Sequence, residues 1–141
     1  MAIAYIIGLS INTPMSAKAL ERSTIGQISV NVHDLARAVA FYRDILGMQF
    51  LFEVPSMAFF KVGSVRLMLG RPEKPEFDHP ASIIYYKVDD IQRTHKQLLE
   101  NGVTFETAPH LVVRMPDHEL WMAFFRDPEN NLLALMSEIH G

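Results

Sequence analysis

One supersecondary unit is written twice in this chain. Ile28-Ser29-Val30-Asn31-Val32-His33-Asp34-Leu35 is matched in type and order by Ile84-Tyr85-Tyr86-Lys87-Val88-Asp89-Asp90-Ile91. Both copies read as an alternating strand that reaches an Asp and enters an amphipathic helix. Each helix stops at a glycine, Gly47 or Gly102, and a phenylalanine follows three residues on, Phe50 or Phe105. A duplication constrains architecture more than composition does, because a single copy cannot bury its own apolar face and the two must pack together. Two half-sheets enclosing a concave surface suited to a small molecule are the expectation.

Composition sets the outer limits. A chain of 141 residues makes one domain, and at this size folding buries roughly 68–70% of the unfolded surface. The formal charge is −3 and lysines and arginines do not cluster, which argues against nucleic acid as a partner, since phosphate binding needs a basic face. The chain has no cysteine. Disulfides, thiolate metal sites and cysteine nucleophiles are therefore excluded, and a cytoplasmic location is expected. Met1 to Ile11 is largely apolar but shorter than the about 20 residues that span a bilayer, and it lacks the basic flank of a signal peptide. No membrane association is expected. Met15-Ser16-Ala17-Lys18 reads as a natural beginning. Residues 1–23 are thus expected to form a flexible extension, followed by one domain over 24–141: module one at 24–71, a linker at 72–80 and module two at 81–138.

In module one, Ile25 to Val32 alternates as a half-buried strand, and Asp34 is placed to cap a helix over Leu35 to Leu46 with a stripe of Leu35, Val39, Tyr42 and Leu46. Gly47 supplies the left-handed residue that ends it. Strands are predicted around Gln49–Glu53, Met57–Val62 and Val65–Leu69. Module two repeats the order: strand Ser82 to Val88, helix Ile91 to Glu100, then strands at Val103–Glu106, Leu111–Arg114, Leu120–Arg126 and Leu132–Met136. Asp127-Pro128-Glu129-Asn130-Asn131 reads as a tight turn.

Three segments carry a resemblance: Val32-His33-Asp34-Leu35, Phe41-Tyr42-Arg43-Asp44-Ile45-Leu46-Gly47, and Phe124-Phe125-Arg126-Asp127-Pro128-Glu129-Asn130-Asn131-Leu132-Leu133. With them the chain resembles the vicinal-oxygen-chelate superfamily, which holds glyoxalase I, bleomycin and fosfomycin resistance proteins, extradiol dioxygenases and methylmalonyl-CoA epimerase. The resemblance implies an α+β fold of two tandem βαβββ modules forming a curved mixed sheet around a cavity, and a homodimer. It also implies metal ligands on the first and last strand of each module, which map here to Gln27, Met68, Ile83 and Ala134. Only Gln27 carries an oxygen or nitrogen donor. A catalytic ion needs at least three protein ligands with an open position, so neither a metal nor another cofactor is expected.

Strand parity assigns Ile28, Val30, Val32, Leu67, Leu69, Ile84, Tyr86 and Val88 to the helix side. The alternates, among them Gln27, Asn31, Arg66, Met68, Ile83, Tyr85, Lys87 and Ala134, face the concave side. Apolar walls with a few polar groups are the usual make-up of a ligand pocket. Lys87 and Arg66 would favour an anionic group, unless their long side chains reach past the rim to water. Trp121 is a candidate flat wall, with a place in the core as the alternative. His118, beside Asp117 and Glu119, is a candidate proton carrier, with an exposed turn as the alternative.

Three functions follow in order of expectation. The first is a metal-independent protein that binds a small, apolar or anionic organic molecule in the concave cavity. The second is a lyase, isomerase or epimerase acting next to a carbonyl, with Lys87 or His118 moving the proton. The third is a metal-dependent glyoxalase or dioxygenase.

Overall fold

The computed structural model describes residues 19–141. Most of the expected extension thus lies outside the described residues. Each module opens on a strand that enters a helix through an aspartate. β1 (Gln27–Asn31) leads to α1 (Leu35–Ala40), and β5 (Ile84–Lys87) leads to α2 (Ile91–Glu100). The Asp34 carboxylate accepts the Arg37 backbone N–H and the Asp90 carboxylate accepts that of Arg93, both at 3.1 Å, so each satisfies a donor the first helical turn would leave bare. Gly47 (φ 74°) and Gly102 (φ 93°) end the two helical segments in the left-handed region.

Module one continues with β2 (Gln49–Val54), β3 (Met57–Val62) and β4 (Val65–Gly70); module two continues with β6 (Phe105–Arg114), β7 (Glu119–Arg126) and β8 (Leu132–Ile139). Each makes a four-stranded mixed sheet in the same order, β1-β4-β3-β2 and β5-β8-β7-β6, with only the first pair parallel. The parallel pairs are extended by equivalent bonds, Val32 N–H to the Gly70 carbonyl at 3.0 Å and Val88 N–H to the Met136 carbonyl at 2.8 Å. The duplication in the sequence is therefore a duplication of hydrogen-bond pattern.

Two elements differ from the sequence expectation. The helix over Leu35–Leu46 is regular only to Ala40; Phe41–Ile45 form a wider turn, closed by Leu46 N–H on the Phe41 carbonyl. Tyr42, in this turn, is fully buried, as the stripe predicts. The strands expected at Val103–Glu106 and Leu111–Arg114 are one strand, β6, with register shifts along it. Pro109 interrupts the pattern but not the strand. β6 is the edge of its sheet, where a missing N–H donor is tolerated.

The helix-side faces of both sheets share one core. Val30, Val32, Leu67 and Leu69 from module one join Ala123, Phe125, Leu133 and Leu135 from module two, with Leu35, Val39, Ile91 and Leu98 from the helices. Because both sheets turn these faces inward, their concave faces point away from the common core.

Candidate functional site

On the concave face of module one lies a cleft of about 410 Å³. Its floor is Ser29 and Asn31 of β1 beside Met68 and Gly70 of β4, which stand opposite one another in register. Phe77, His79 and Pro80 of the linker form an outer wall. Gly70 keeps the floor low: a Cβ there would sit 3.4 Å from the Met68 Cε and 3.6 Å from the Met57 Cγ. Beyond this floor, the Arg66 Nε–H donates to Gln27 Oε1 at 2.7 Å, and the guanidinium lies 5.3 Å from the Phe59 ring centroid. Phe59 stacks on Phe52 at 4.6 Å and 28°, and Phe52 is 46% exposed. The face thus offers an apolar aromatic shelf with a cation at one edge.

The linker is fastened over this cleft. The Asn31 amide donates to the carbonyls of Phe77 (2.6 Å) and His79 (3.0 Å). That amide, expected to face a ligand, is occupied in holding backbone.

The remaining predicted residues do not converge on this cleft. Tyr85 and Lys87 line a separate cavity of about 240 Å³ with Ile28, Val65 and Leu67. The Lys87 ammonium is 3.3 Å from Glu138 Oε1, in a largely exposed ion pair. Ile83 is 41% exposed just before β5, and Ala134 is fully buried between Tyr85 and Phe124 in the sheet register. Trp121 packs against the core and donates its indole N–H to Glu119 at 3.1 Å. Its place is the core alternative, on the face opposite Tyr85. His118 Nδ1 is 2.8 Å from Asp117 Oδ1, and its ring centroid is 5.5 Å from that of His140. The hydrogen bond from His118 holds the Asp117 carboxyl below the usual range. This pair lines a third cavity with Arg114 and Met115, so His118 and Lys87 do not form one catalytic pair within the chain.

The inherited metal positions do not fit an ion. Gln27 has the only suitable oxygen among them, and it accepts from a guanidinium whose positive charge would repel a cation there. Met68 Sδ is 3.7 Å from Gln27 Nε2, and a thioether is a poor ligand for hard divalent ions. Ile83 and Ala134 have no side-chain lone pairs. Among the described residues, no group of three or more histidines and carboxylates is arranged to hold a metal.

Sequence reasoning missed what the motif residues do. Tyr42 O–H donates to Asp127 Oδ2 at 2.7 Å, across the two modules. The Asp127 carboxylate, 5% exposed, also accepts the backbone N–H groups of Glu129 (2.9 Å) and Asn131 (2.8 Å) and the Asn131 amide (2.9 Å). Glu129 reaches the other module as well, accepting the backbone N–H groups of His33 (2.8 Å) and Asp34 (3.0 Å). The segments that carry the resemblance are thus an intermodule clamp, and it reaches the edge of the cleft floor, where the Asn131 amide donates to the Asn31 carbonyl at 3.3 Å. One signal was present: a tyrosine in an apolar helical stripe needs a partner for its hydroxyl.

Comparison with known proteins agrees with this architecture. The profile described as "Glyoxalase/Bleomycin resistance protein/Dioxygenase superfamily" matches residues 24–135. The uncharacterized protein YraH of Bacillus subtilis (strain 168) is 31% identical over 126 residues, 77% of this chain and 94% of that protein. The metallothiol transferase FosB of Staphylococcus haemolyticus is 36% identical over 70 residues, which is 50% of this chain and 48% of that enzyme. Among solved structures, TnmS3, an antibiotic binding protein from Streptomyces sp. CB03234, aligns with a TM-score of 0.68 at 24% identity. That alignment covers 82% of this chain and 96% of TnmS3. At that identity the likeness is one of fold.

Proposed function

The chain belongs to the glyoxalase/bleomycin resistance protein/dioxygenase superfamily, and on that premise we propose that it binds a small, flat, apolar or anionic organic molecule on its concave surface without the family's usual catalytic metal. The observation that carries this reading is the floor of the module-one cleft. It is wide enough for a small ligand at about 410 Å³ and is built from the Ser29 hydroxyl, the Asn31 amide, the Met68 thioether and Gly70, a mix usual in a ligand pocket and without the imidazoles or carboxylates that hold a catalytic metal. The shelf of Phe52 and Phe59 beside Arg66 suits a planar ring carrying an acidic group, since a ring can stack and the guanidinium attracts the anion. TnmS3 is a protein of this fold that binds an antibiotic, which supports ligand capture as a use of the architecture.

The same reading includes a cytoplasmic homodimer. Tyr85, 43% exposed, meets Phe124 edge-on at 6.1 Å, and this leaves module two with an aromatic concave face of its own. A second copy bringing that face opposite the Phe52–Phe59 shelf would enclose a ligand on both sides.

A second reading, a lyase, isomerase or epimerase acting next to a carbonyl, draws support from the His118–Asp117 contact. A histidine ordered by a carboxylate can carry a proton near neutrality. Its place in a cavity other than the module-one cleft ranks it below capture.

The test uses anilinonaphthalene sulfonate, an apolar anion. It should bind the wild-type protein with a rise in fluorescence and in thermal midpoint. Ser29→Trp, which fills the floor, should remove both effects while the circular dichroism spectrum stays the same. Equal binding by that variant would overturn the site.

A further inference from the structure

We propose that residues 75–82 form a strap that gates the module-one cleft, and that His33, held between Asp78 of the strap and Glu129 of the β7–β8 turn, is its clasp. The use of the gate rests on the ligand-binding reading above; the motion of the strap is measurable without any ligand.

The strap has little to hold it. Residues 73–80 are all exposed, and the backbone bonds of its single turn are internal, Phe77 N–H to the Lys74 carbonyl and Asp78 N–H to the Pro75 carbonyl. Ala81 anchors its far end against the core; before that point it is hydrogen-bonded to the domain by two side chains at the end of β1. One is Asn31, through the Phe77 and His79 carbonyls. The other is His33, whose Nε2 lies 2.9 and 3.0 Å from the two Asp78 carboxylate oxygens. Segments with few buried contacts are the first to open, so these side-chain ties set whether the outer wall of the cleft is present.

Of the two ties, only the histidine can change with conditions. Its other ring nitrogen, Nδ1, is 3.1 Å from Glu129 Oε1. That carboxylate cannot move aside. Its side chain is 6% exposed, accepts two backbone N–H groups, and has the Arg37 guanidinium 3.5 Å away. Both imidazole nitrogens therefore face carboxylate oxygens, which accept but do not donate. A neutral imidazole has one N–H, and only the protonated ring can donate to both. Loss of the proton turns one of the two contacts into a repulsion between lone pairs. Since Glu129 is fixed and the strap is not, the Asp78 contact is the one that yields.

The charged groups around the ring agree on direction. Asp78 faces it from the strap and Glu129 from the turn, while Arg37 of α1 is engaged with Glu129 and the Pro128 carbonyl. Asp34 is spent on its helix cap, and His79 bonds the Pro80 carbonyl. The Asp78 carboxylate holds the His33 pKa above its ordinary value. A raised value means that the clasp is fully formed below the ordinary histidine range and is lost as pH rises through the raised one. The gate is closed in mild acid and opens toward alkaline pH.

The experiment is amide hydrogen exchange on the full chain between about pH 5.5 and about pH 8.5, corrected for intrinsic rates, with α2 as the folding reference. Protection of Phe77, Asp78 and His79 should fall as pH rises while α2 stays protected. His33→Gln and Asp78→Asn should each leave the strap equally open at both ends of the range. Affinity for anilinonaphthalene sulfonate should weaken by roughly two- to fivefold from low to high pH in the wild type only, the scale of an exposed ion pair. Strap protection that ignores pH, or persists in His33→Gln, overturns the clasp. Protection that changes while probe affinity does not overturns the gate. A protein that never binds the probe but keeps its pH-dependent strap retains the clasp and refutes the ligand-binding reading instead.

Discussion

Removing the Tyr42 hydroxyl should loosen the two modules from one another. Tyr42 is fully buried, Asp127 is 5% exposed, and the bond between them is 2.7 Å long. A hydrogen bond to a charged acceptor contributes about 1.5–3 kcal/mol. Tyr42→Phe keeps the ring, so no cavity cost is added. Asp127 Oδ2 also retains the Asn131 amide at 2.9 Å, which places the expected loss near the lower end, about 2 kcal/mol. Asp127→Ala should cost more. It leaves a buried hydroxyl and two turn N–H groups without their acceptor, and each buried orphan costs about 1–3 kcal/mol. Urea unfolding gives the free energies. For a chain of this size, 2 kcal/mol corresponds to a fall in Tm of about 4–8 °C. The double variant should lose less than the sum of the two, with a coupling of at least about 1 kcal/mol. Burial pushes the Tyr42 phenol far above its ordinary value, and the Asp127 charge adds to this. Stability from this neutral phenol is complete below about pH 10 and declines above it, where the unfolded chain ionises and the folded one does not. Tyr42→Phe should show a weaker alkaline decline. A Tyr42→Phe protein within about 0.5 kcal/mol of wild type, with the same urea dependence, would refute the clamp as a source of stability.

Gly47→Ala and Gly102→Ala should each destabilise by about 1–2 kcal/mol in urea titrations. The backbone is left-handed at both, and no neighbouring atom within 4 Å adds a clash. Protein dialysed against nickel, zinc, manganese or iron and then against buffer should retain well under one ion per chain by elemental analysis; a stoichiometric ion would contradict the reading of Gln27, Met68, Ile83 and Ala134. Sedimentation velocity should give twice the mass of the chain, and Phe52→Lys, which charges the exposed shelf, should shift it toward the monomer.

Much of the architecture was legible because it depends on local rules. Period-two alternation placed β1 and β5, and it divided their side chains correctly into a helix side and a concave side. Asp34, Asp90, Gly47 and Gly102 announced the helix ends, since capping and left-handed φ are single-residue requirements. β6 read as two strands on either side of Pro109, a residue without an N–H, whereas the continuity of the strand comes from an edge position that only pairing reveals.

The sequence by itself determined that this chain is a duplicated βαβββ protein, and it set Gln27, Met68, Ile83 and Ala134 where the resemblance implies a metal's ligands. Those are facts of residue type and spacing. Tertiary structure decided how the two halves meet: their helix sides share a core, so Tyr85 and Lys87 look away from the floor on which Ser29 and Met68 stand. It also decided the partners of the polar side chains, giving Tyr42 to Asp127, Lys87 to Glu138 and His33 to two carboxylates. Those pairs span long sequence separations, and a charge or hydroxyl in a sequence carries no mark of what the folded chain will place within hydrogen-bonding reach of it.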